Sequence, residues 1–582
     1  MGNATVGIFS ELCYNKTSIL LKSKENPLRR RSAPGAGRRT GMSRETKNTL
    51  LLQGSILAAA GIFTKLIGFL YRIPMANLLG NQGNGVYSVA YGIYTITLTL
   101  SSMSLPTAVS KVVSARLARE EGRNASRVLA MALLFALVMG TFSFSLLYFG
   151  ADMLEELYST AGLHRPLQVL APTSFLFAFL GVMRGYTQGS GDMVPTAVSQ
   201  IVDQCCHAIM SIVAAWALLQ MYGETAQAAS WGAMGGTLGT LAGAVASFLF
   251  MTVILLRRLP EIRLRARRDR TGQEESWGLI ARALILTILP IVFSQTIYQI
   301  SYTLDDLLFS RFMNAAGTAE NAITSIQGVF NTQYNQMVNL PVSIATAMAM
   351  TLMPSIVASY VKRERREVRN KITSTVKFNM AIAFPCAVGL AVLARPMMSI
   401  LFPMLGDYHA LASNLLAAGS SAAVFYALST ITTSILQGTN HMAVPVFHSA
   451  VALCVHIVVV VALLYAGLGI WARLIGNVIF PLIVCLLNCR AVSRLLRYRW
   501  NVAAIFVIPL LCALIMGAVC WGVYALVLKV TGVMIAAFVL AFVCAVAVYA
   551  LALLKSHCFS KRELQELPMG GKILRLAIRL HL

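Results

Sequence analysis

The stretches QGSGDMVPTAVSQIVDQCCH, residues 188–207, and QGTNHMAVPVFHSAVALCVH, residues 437–456, decide how this chain is organised. Gln188/Gln437, Gly189/Gly438, Met193/Met442, Cys205/Cys454 and His207/His456 match at one common offset of 249 positions. Around them SLPTAVS from 104 parallels NLPVSIA from 339, and Trp231 with Gly236 parallels Trp471 with Gly476, at offsets that differ as loop-length changes would make them. The matches include glutamine, histidine and proline, which chance likeness between apolar helices does not supply. Two copies of a six-helix unit, about 50–260 and 280–490, account for them. Six is even, so both copies enter a membrane from the same side and are related by an axis along its normal. Parallel repeats of this kind place a substrate cavity between their lobes and open it to either side in turn.

That a membrane is the setting follows from composition. Of 582 residues 57% are hydrophobic and 12% charged, and apolar runs of about 20 residues, enough to span a bilayer as helix, recur throughout. Fourteen can be counted, near 50–79, 86–110, 128–150, 167–187, 194–220, 231–256, 280–309, 322–356, 375–400, 412–436, 445–466, 469–489, 502–528 and 532–555. The chain is predicted to be an all-α polytopic membrane protein with about 14 transmembrane helices: two six-helix lobes and a C-terminal helix pair. The expected division is a basic tail over 1–47, a first lobe over 48–260, a basic linker over 261–279, a second lobe over 280–490, the helix pair over 501–556 and a tail over 557–582. In the last tail GGKILRLAIRLHL sorts Ile573, Leu576, Ala577 and Leu580 from Lys572, Arg575 and Arg579, as an interfacial helix would; a frayed end is the alternative. Residues 1–41 hold Pro34, Gly35 and a basic cluster but no apolar core of a signal peptide, and MSRETKNTLLLQGS at Met42 reads like a start, so 1–41 are expected to be an over-extension or a dispensable tail.

The net charge of +25 is a matter of topology before it is one of ligands. Basic residues crowd alternate connections, RRLPEIRLRARRDR at 257–270 and VKRERREVRNK at 361–371 among them, while the intervening loops offer Asp152, Glu155, Glu156 and Asp407. The positive-inside rule then puts both termini in the cytoplasm, and no nucleic-acid partner is called for. Of the eleven cysteines most sit inside apolar runs without CxxC or histidine spacing, so no metal site is predicted. The chain has no GxxxxGK[ST] loop, which argues against direct ATP coupling.

The charged groups inside the spans carry the function. In FTKLIGFLYRIP, residues 63–74, Lys65 and Arg72 are seven apart and fall on nearly one helix face, about 10 Å apart along the axis. A cation at bilayer depth costs about 2.5–3.5 kcal/mol on insertion scales, so two on one stripe suit an anionic ligand; snorkelling of Lys65 with Arg72 at the interface is the plainer alternative. Pro74 is expected to bend the helix just beyond them. In PIVFSQTIYQISYTLDDLLFSRF, Gln295, Gln299, Tyr302 and Asp306 form a polar stripe. Asp305 or Asp306 either pairs with Lys65 or Arg72, or binds the Na+ or H+ that drives transport, and Asp203 is a further coupling candidate. Gln327, Asn331, Asn335 and Asn339 recur every fourth residue, and Gln200, Asp203, Gln204 and His207 share a span. Such stripes bind sugar or peptide, or simply join helices. Arg184 and Lys111 are read as headgroup anchors, and His207, His448 and His456 as satisfied core residues.

FTKLIGFLYRIPMANLLGNQGNGVYSVAYGIY, LPTAVSKVVSARLA and the paired QG…P segments resemble the stage V sporulation protein B and polysaccharide-biosynthesis branch of the multidrug/oligosaccharidyl-lipid/polysaccharide (MOP) exporter superfamily, close to the MurJ-type lipid II flippases. The resemblance covers about 42–560. It implies a bacterial plasma-membrane protein with two lobes around a V-shaped cavity, and a final helix pair that helps to form a groove for a lipid tail. It also implies cavity-lining basic residues that face a lipid-linked diphosphate. The first such position falls on Phe63, Thr64, Lys65; the next aligns at Tyr71, with Arg72 one place off, and the second-helix arginine has no counterpart in TLTLSSMS. The expected function is therefore translocation of an undecaprenyl-diphosphate-linked saccharide, a peptidoglycan precursor such as lipid II. Lys65 and Arg72 would hold the diphosphate, and Gln295, Gln299, Tyr302, Gln327, Asn331 and Asn335 would meet sugar or peptide. Cell-wall synthesis proteins would be partners, and Na+ or H+ would be the only cofactor. The rivals are a cation-coupled multidrug antiporter of the same superfamily, a membrane-embedded glycosyltransferase or ligase, and a non-transporting cell-wall scaffold.

Overall fold

The computed structural model describes residues 44–556 apart from 270 and 273, together with 558 and 559. Residues 1–43 of the tail predicted over 1–47, and the amphipathic helix from 570, lie outside the described residues. Residues 53 onward belong to one unit, and its elements are helices.

The first lobe runs through α1 (Arg44–Leu98), α2 (Leu105–Leu117), α3 (Gly122–Phe149), a short α4 (Ala151–Tyr158), α5 (His164–Gly189), α6 (Val194–Tyr222) and α7 (Ala228–Arg267). The second holds α8 (Trp277–Ala315), α9 (Glu320–Gly328), α10 (Asn335–Val361), α11 (Arg365–Val392), α12 (Ala394–Leu401), α13 (His409–Gly419), α14 (Ala422–Gly438), α15 (Ala443–Tyr465) and α16 (Ile470–Leu495). The final pair is α17 (Ile508–Thr531) and α18 (Met534–Lys555). Ten helices among the described residues are long and apolar enough to cross a membrane, or eleven with the bent pair Pro403–Gly419 and Ala422–Gly438 taken as one. The span Ala59–Leu117 is divided at Gly80, and the helices over 277–315 and 320–361 fall on two further predicted spans.

Local chemistry sets the breaks. Gly80 has φ of +65°, a left-handed conformation that costs glycine little, and it ends the first crossing where Pro74 was expected to bend it; the chain stays helical through Pro74. A connection of one residue is enough because the next helix starts at once. Ser276 caps α8, its hydroxyl accepting the amide of Leu279 at 3.3 Å. Gly532, also left-handed, turns α17 into α18. Wider π-type turns interrupt the helix at Thr99–Met103 and Val329–Tyr334.

Each lobe buries its own core. Tyr94, Leu163, Leu167 and Leu170 lie in one cluster of the first lobe, and Phe330, Tyr334, Phe402 and Phe480 in one of the second. The start of α8 departs from this division: Ile280, Leu284, Ile288 and Val292 pack with Val109, Val112 and Val128 of the first lobe, whereas Phe309 at its end lies in the second-lobe core. Glu274 and Glu275, just before it, pair with Arg123 and Arg127 and with Arg116, so the linker is strapped to the first lobe. The final pair is seated on α11 and α12: Tyr549 donates to Ala381 O at 2.7 Å, and Met516 and Cys520 pack beside Val388 and Val392.

Candidate functional site

Between the lobes lies a cavity of about 1120 Å³, at or beyond the upper end of the roughly 300–1,000 Å³ usual for small-molecule sites. From α1 it is lined by Ile62, Lys65, Leu66, Phe69, Leu70 and Arg72, from α6 by Gln204, from α10 by Gln336, Asn339, Ser343 and Ile344, and from α11 by Lys371 and Ser374. Lys65 and Arg72 share the cavity-facing stripe that their spacing predicted, and neither pairs with a carboxylate among the described residues. Arg72 lies over the Tyr91 ring, 5.9 Å from its centroid, a contact that orients a guanidinium without neutralising it. Among the described residues no Asp or Glu lines the cavity, so its field is that of unopposed cations.

The cavity reaches towards the face that carries the basic connections, where Lys371 and Ser355 belong to the helix ends beside 361–371. At the opposite face the lobes are shut. Asn77 Nδ2 donates to Leu401 O at 2.8 Å, Asn81 Nδ2 to Leu405 O at 3.0 Å, and Gln82 Nε2 to Asn321 Oδ1 at 2.7 Å. Gly85 and Gly328 allow this closure, because a Cβ on Gly85 would stand 2.0 Å from Thr324 O and one on Gly328 2.1 Å from Asn81 O. Within the cavity wall Gln336 Nε2 donates to Phe69 O at 3.2 Å, a bond between the two lobes.

The three carboxylates that the sequence offered for ion coupling all have partners within the protein, and these are not Lys65 or Arg72. Asp305 Oδ1 meets His456 Nε2 at 2.7 Å, and Asp306 Oδ1 meets Arg473 Nη2 at 2.8 Å. Asp203 lies 3.6 Å from Arg184, which is therefore buried in an ion pair rather than anchored among headgroups. The reason is the repeat. Tyr71 bonds His207 at 3.1 Å in the first lobe and Asp305 bonds His456 in the second, so Arg72 and Asp306 stand at equivalent places. In the second lobe Arg473 supplies the counter-charge; its counterpart, two residues after the first lobe's tryptophan, is Ala233, and Arg72 is left to face the cavity. Because Asp306 is about 5% exposed, an Asp306→Ala protein is expected to lose about 3–5 kcal/mol, the cost of leaving one member of a buried pair alone. Thermal unfolding in detergent measures this, and an unchanged melting temperature would refute it.

Gln327 Nε2 donates to Asp306 O and Ser310 Oγ, and Asn331 bonds Asp306, Ser88 and Arg473. Asn335 donates to Asn331, and Tyr302 stacks on Tyr426 at 6.3 Å. These residues form the interior of the second lobe, and Gln295 and Gln299 are likewise absent from the cavity lining. Gln204, Gln336, Asn339 and Ser343 stand there instead. Arg473, which the sequence reading passed over, was visible as the one charge in the span IWARLIGNVIF.

Residues 50–359 match the family described as polysaccharide biosynthesis protein. The lipid II flippase MurJ of Bacillus subtilis is 26% identical over 432 residues, 71% of this chain and 77% of that one. The stage V sporulation protein B of the same organism is 24% identical over 535 residues, 91% and 99% of the two chains. In fold, a lipid II flippase MurJ in an inward closed conformation superposes with a TM-score of 0.61 at 14% identity, covering 85% of this chain and 97% of that one. A multidrug resistance MATE family transporter of the MOP superfamily, inward-facing, does so with 0.60 at 17%, covering 76% and 99%.

Proposed function

Because this chain belongs to the polysaccharide biosynthesis protein family, we propose that it is a flippase for an undecaprenyl-diphosphate-linked saccharide, a peptidoglycan precursor such as lipid II, which it carries across the plasma membrane by alternating access. It is a multi-pass transporter of the MOP superfamily rather than an enzyme. The observation that carries the substrate is the charge of the cavity: Lys65 and Arg72 unopposed, no carboxylate in the wall, and every carboxylate inside the spans already paired. A cationic drug would meet only repulsion there, which disfavours the antiporter.

The basic face is the cytoplasmic one in this proposal, so both termini are cytoplasmic and the structure is open to the side on which such a lipid is made. The diphosphate sits between Lys65 and Arg72. Gln204, Gln336, Asn339 and Ser343 offer hydrogen bonds to sugar or peptide, and Ile62, Leu66, Leu70, Leu340 and Ile344 give the wall an apolar surface along which an isoprenoid enters. Cell-wall enzymes that make and consume this lipid are its functional partners.

Native mass spectrometry of the purified protein with lipid II and with undecaprenyl phosphate tests the proposal. The wild type is expected to bind lipid II, and the Lys65→Ala/Arg72→Ala protein to lose it. A wild type that ignores both lipids but retains cationic dyes would replace this reading with the antiporter.

A further inference from the structure

We infer that Arg473 is a tethered cation that fills a buried oxygen cage of the second lobe, a cage fit for a monovalent metal ion, so that this transporter works without binding Na+ at Asp306. The carboxylate Oδ1 of Asp306 and the amide Oδ1 of Asn331 converge on a single atom, Arg473 Nη2, at 2.8 and 3.1 Å. A further oxygen stands by: Gln327, fully buried and donating to Asp306 O, has an Oε1 that accepts no hydrogen bond among the described residues. Carboxylate and amide oxygens meeting at one positive point are ligands of the kind a hard cation takes.

The guanidinium is held there by its charge rather than by its fork. Its Nε and Nη1 find no hydrogen-bond partner, and the group lies over Phe330 and Phe309, 4.5 and 5.6 Å from their centroids. An arginine selected for carboxylate recognition uses two parallel N–H bonds; this one offers one nitrogen to both oxygens. Arg473 is 1% exposed, and a metal ion beside it would put a second positive charge in the same dry space, where Coulomb repulsion is least screened. The neighbouring carboxylate, Asp305, is taken by His456, whose Nε2 stands 2.7 Å from its Oδ1.

Calling Na+ a coupling ion rests on the transporter reading; the occupancy of the cage does not. Binding of radioactive Na+ and thermal unfolding in NaCl against choline chloride are measured on the full chain in detergent. The proteins compared are the wild type, Arg473→Met and Asp306→Asn/Arg473→Met. The wild type is expected to show no saturable Na+ binding and the same melting temperature in both salts. Arg473→Met is expected to bind Na+ saturably and to melt about 2 °C or more higher in NaCl, and the double variant to do neither. Saturable binding by the wild type that Asp306→Asn removes would overturn the inference, as would a folded Arg473→Met indifferent to Na+. Should Arg473→Met fail to fold in either salt, the wild-type binding decides: none supports the filled cage, and saturable binding refutes it. Failure of lipid II binding would leave each of these results intact.

Discussion

Arg72→Ala and Lys65→Ala are each expected to weaken binding of the lipid-linked diphosphate by about 10- to 100-fold, and together by about 10³-fold or more. A hydrogen bond to a charged group is worth roughly 1.5–3 kcal/mol, and about 1.4 kcal/mol is a factor of ten. The wall of the cavity has no other basic residue at that depth; Lys371, the remaining cation of the lining, donates to Ser355 O and Ser359 Oγ near the mouth. Arg72→Lys should keep part of the affinity, because a point charge remains although the planar fork is gone. Arg72→Glu should abolish binding, since a carboxylate there would face a diphosphate. The measurement is translocation of a fluorescent diphosphate lipid in proteoliposomes, scored by protection from an impermeant quencher across a concentration series. If the single alanine proteins transport like the wild type with intact folding, the basic stripe is a structural feature and the diphosphate lies elsewhere.

The second large effect concerns the closed face. Gly85→Val and Gly328→Ala each put a side chain where backbone atoms of the other lobe stand, 2.0 and 2.1 Å from the new Cβ. A flexible neighbour cannot absorb this, because the obstacles are the main-chain oxygens of Thr324 and Asn81. Overpacking of this order costs about 1–3 kcal/mol, and here the cost falls on one conformation alone. The equilibrium should move away from the state open to the basic face by roughly 5- to 150-fold. On a background with the native cysteines replaced, Ser88→Cys reports on the closed interface, and its reaction with an impermeant maleimide should quicken about tenfold or more in both glycine variants. Equal rates in a folded protein would show that the lobes separate elsewhere.

Much of this architecture could be read from residues alone, and the reason is periodicity. Apolar runs of membrane length, the shared offset of two segments and the placement of arginines in alternate connections each repeat, so their signal accumulates along the chain. The site is different, because there each residue occurs once. That Lys65 and Arg72 share one wall of the cavity was legible, since residues seven apart fall on one helix stripe. The amides were misplaced because spacing along a helix does not say which of its faces meets the cavity and which meets the rest of its own lobe. Gln327, Asn331, Asn335 and Asn339 recur every fourth residue, and the structure sends the first two into the second lobe and Asn339, with Gln336 and Ser343, into the cavity. Partner choice was beyond the sequence as well. Asp306 could have met any cation in the spans, and only the packing of α16 against α8 brings Arg473 to it.

The seating of α17 and α18 on α11 and α12 has a consequence for the cargo. In the proposed function the phosphates are held by the first helix of one lobe, and a tail resting against this pair would be a passenger of the other. Under alternating access the two ends of one lipid would then be carried on different rigid arms. The slack that absorbs the difference is in the isoprenoid chain itself, so a shorter or stiffer tail should fail in transit even where its head is bound normally.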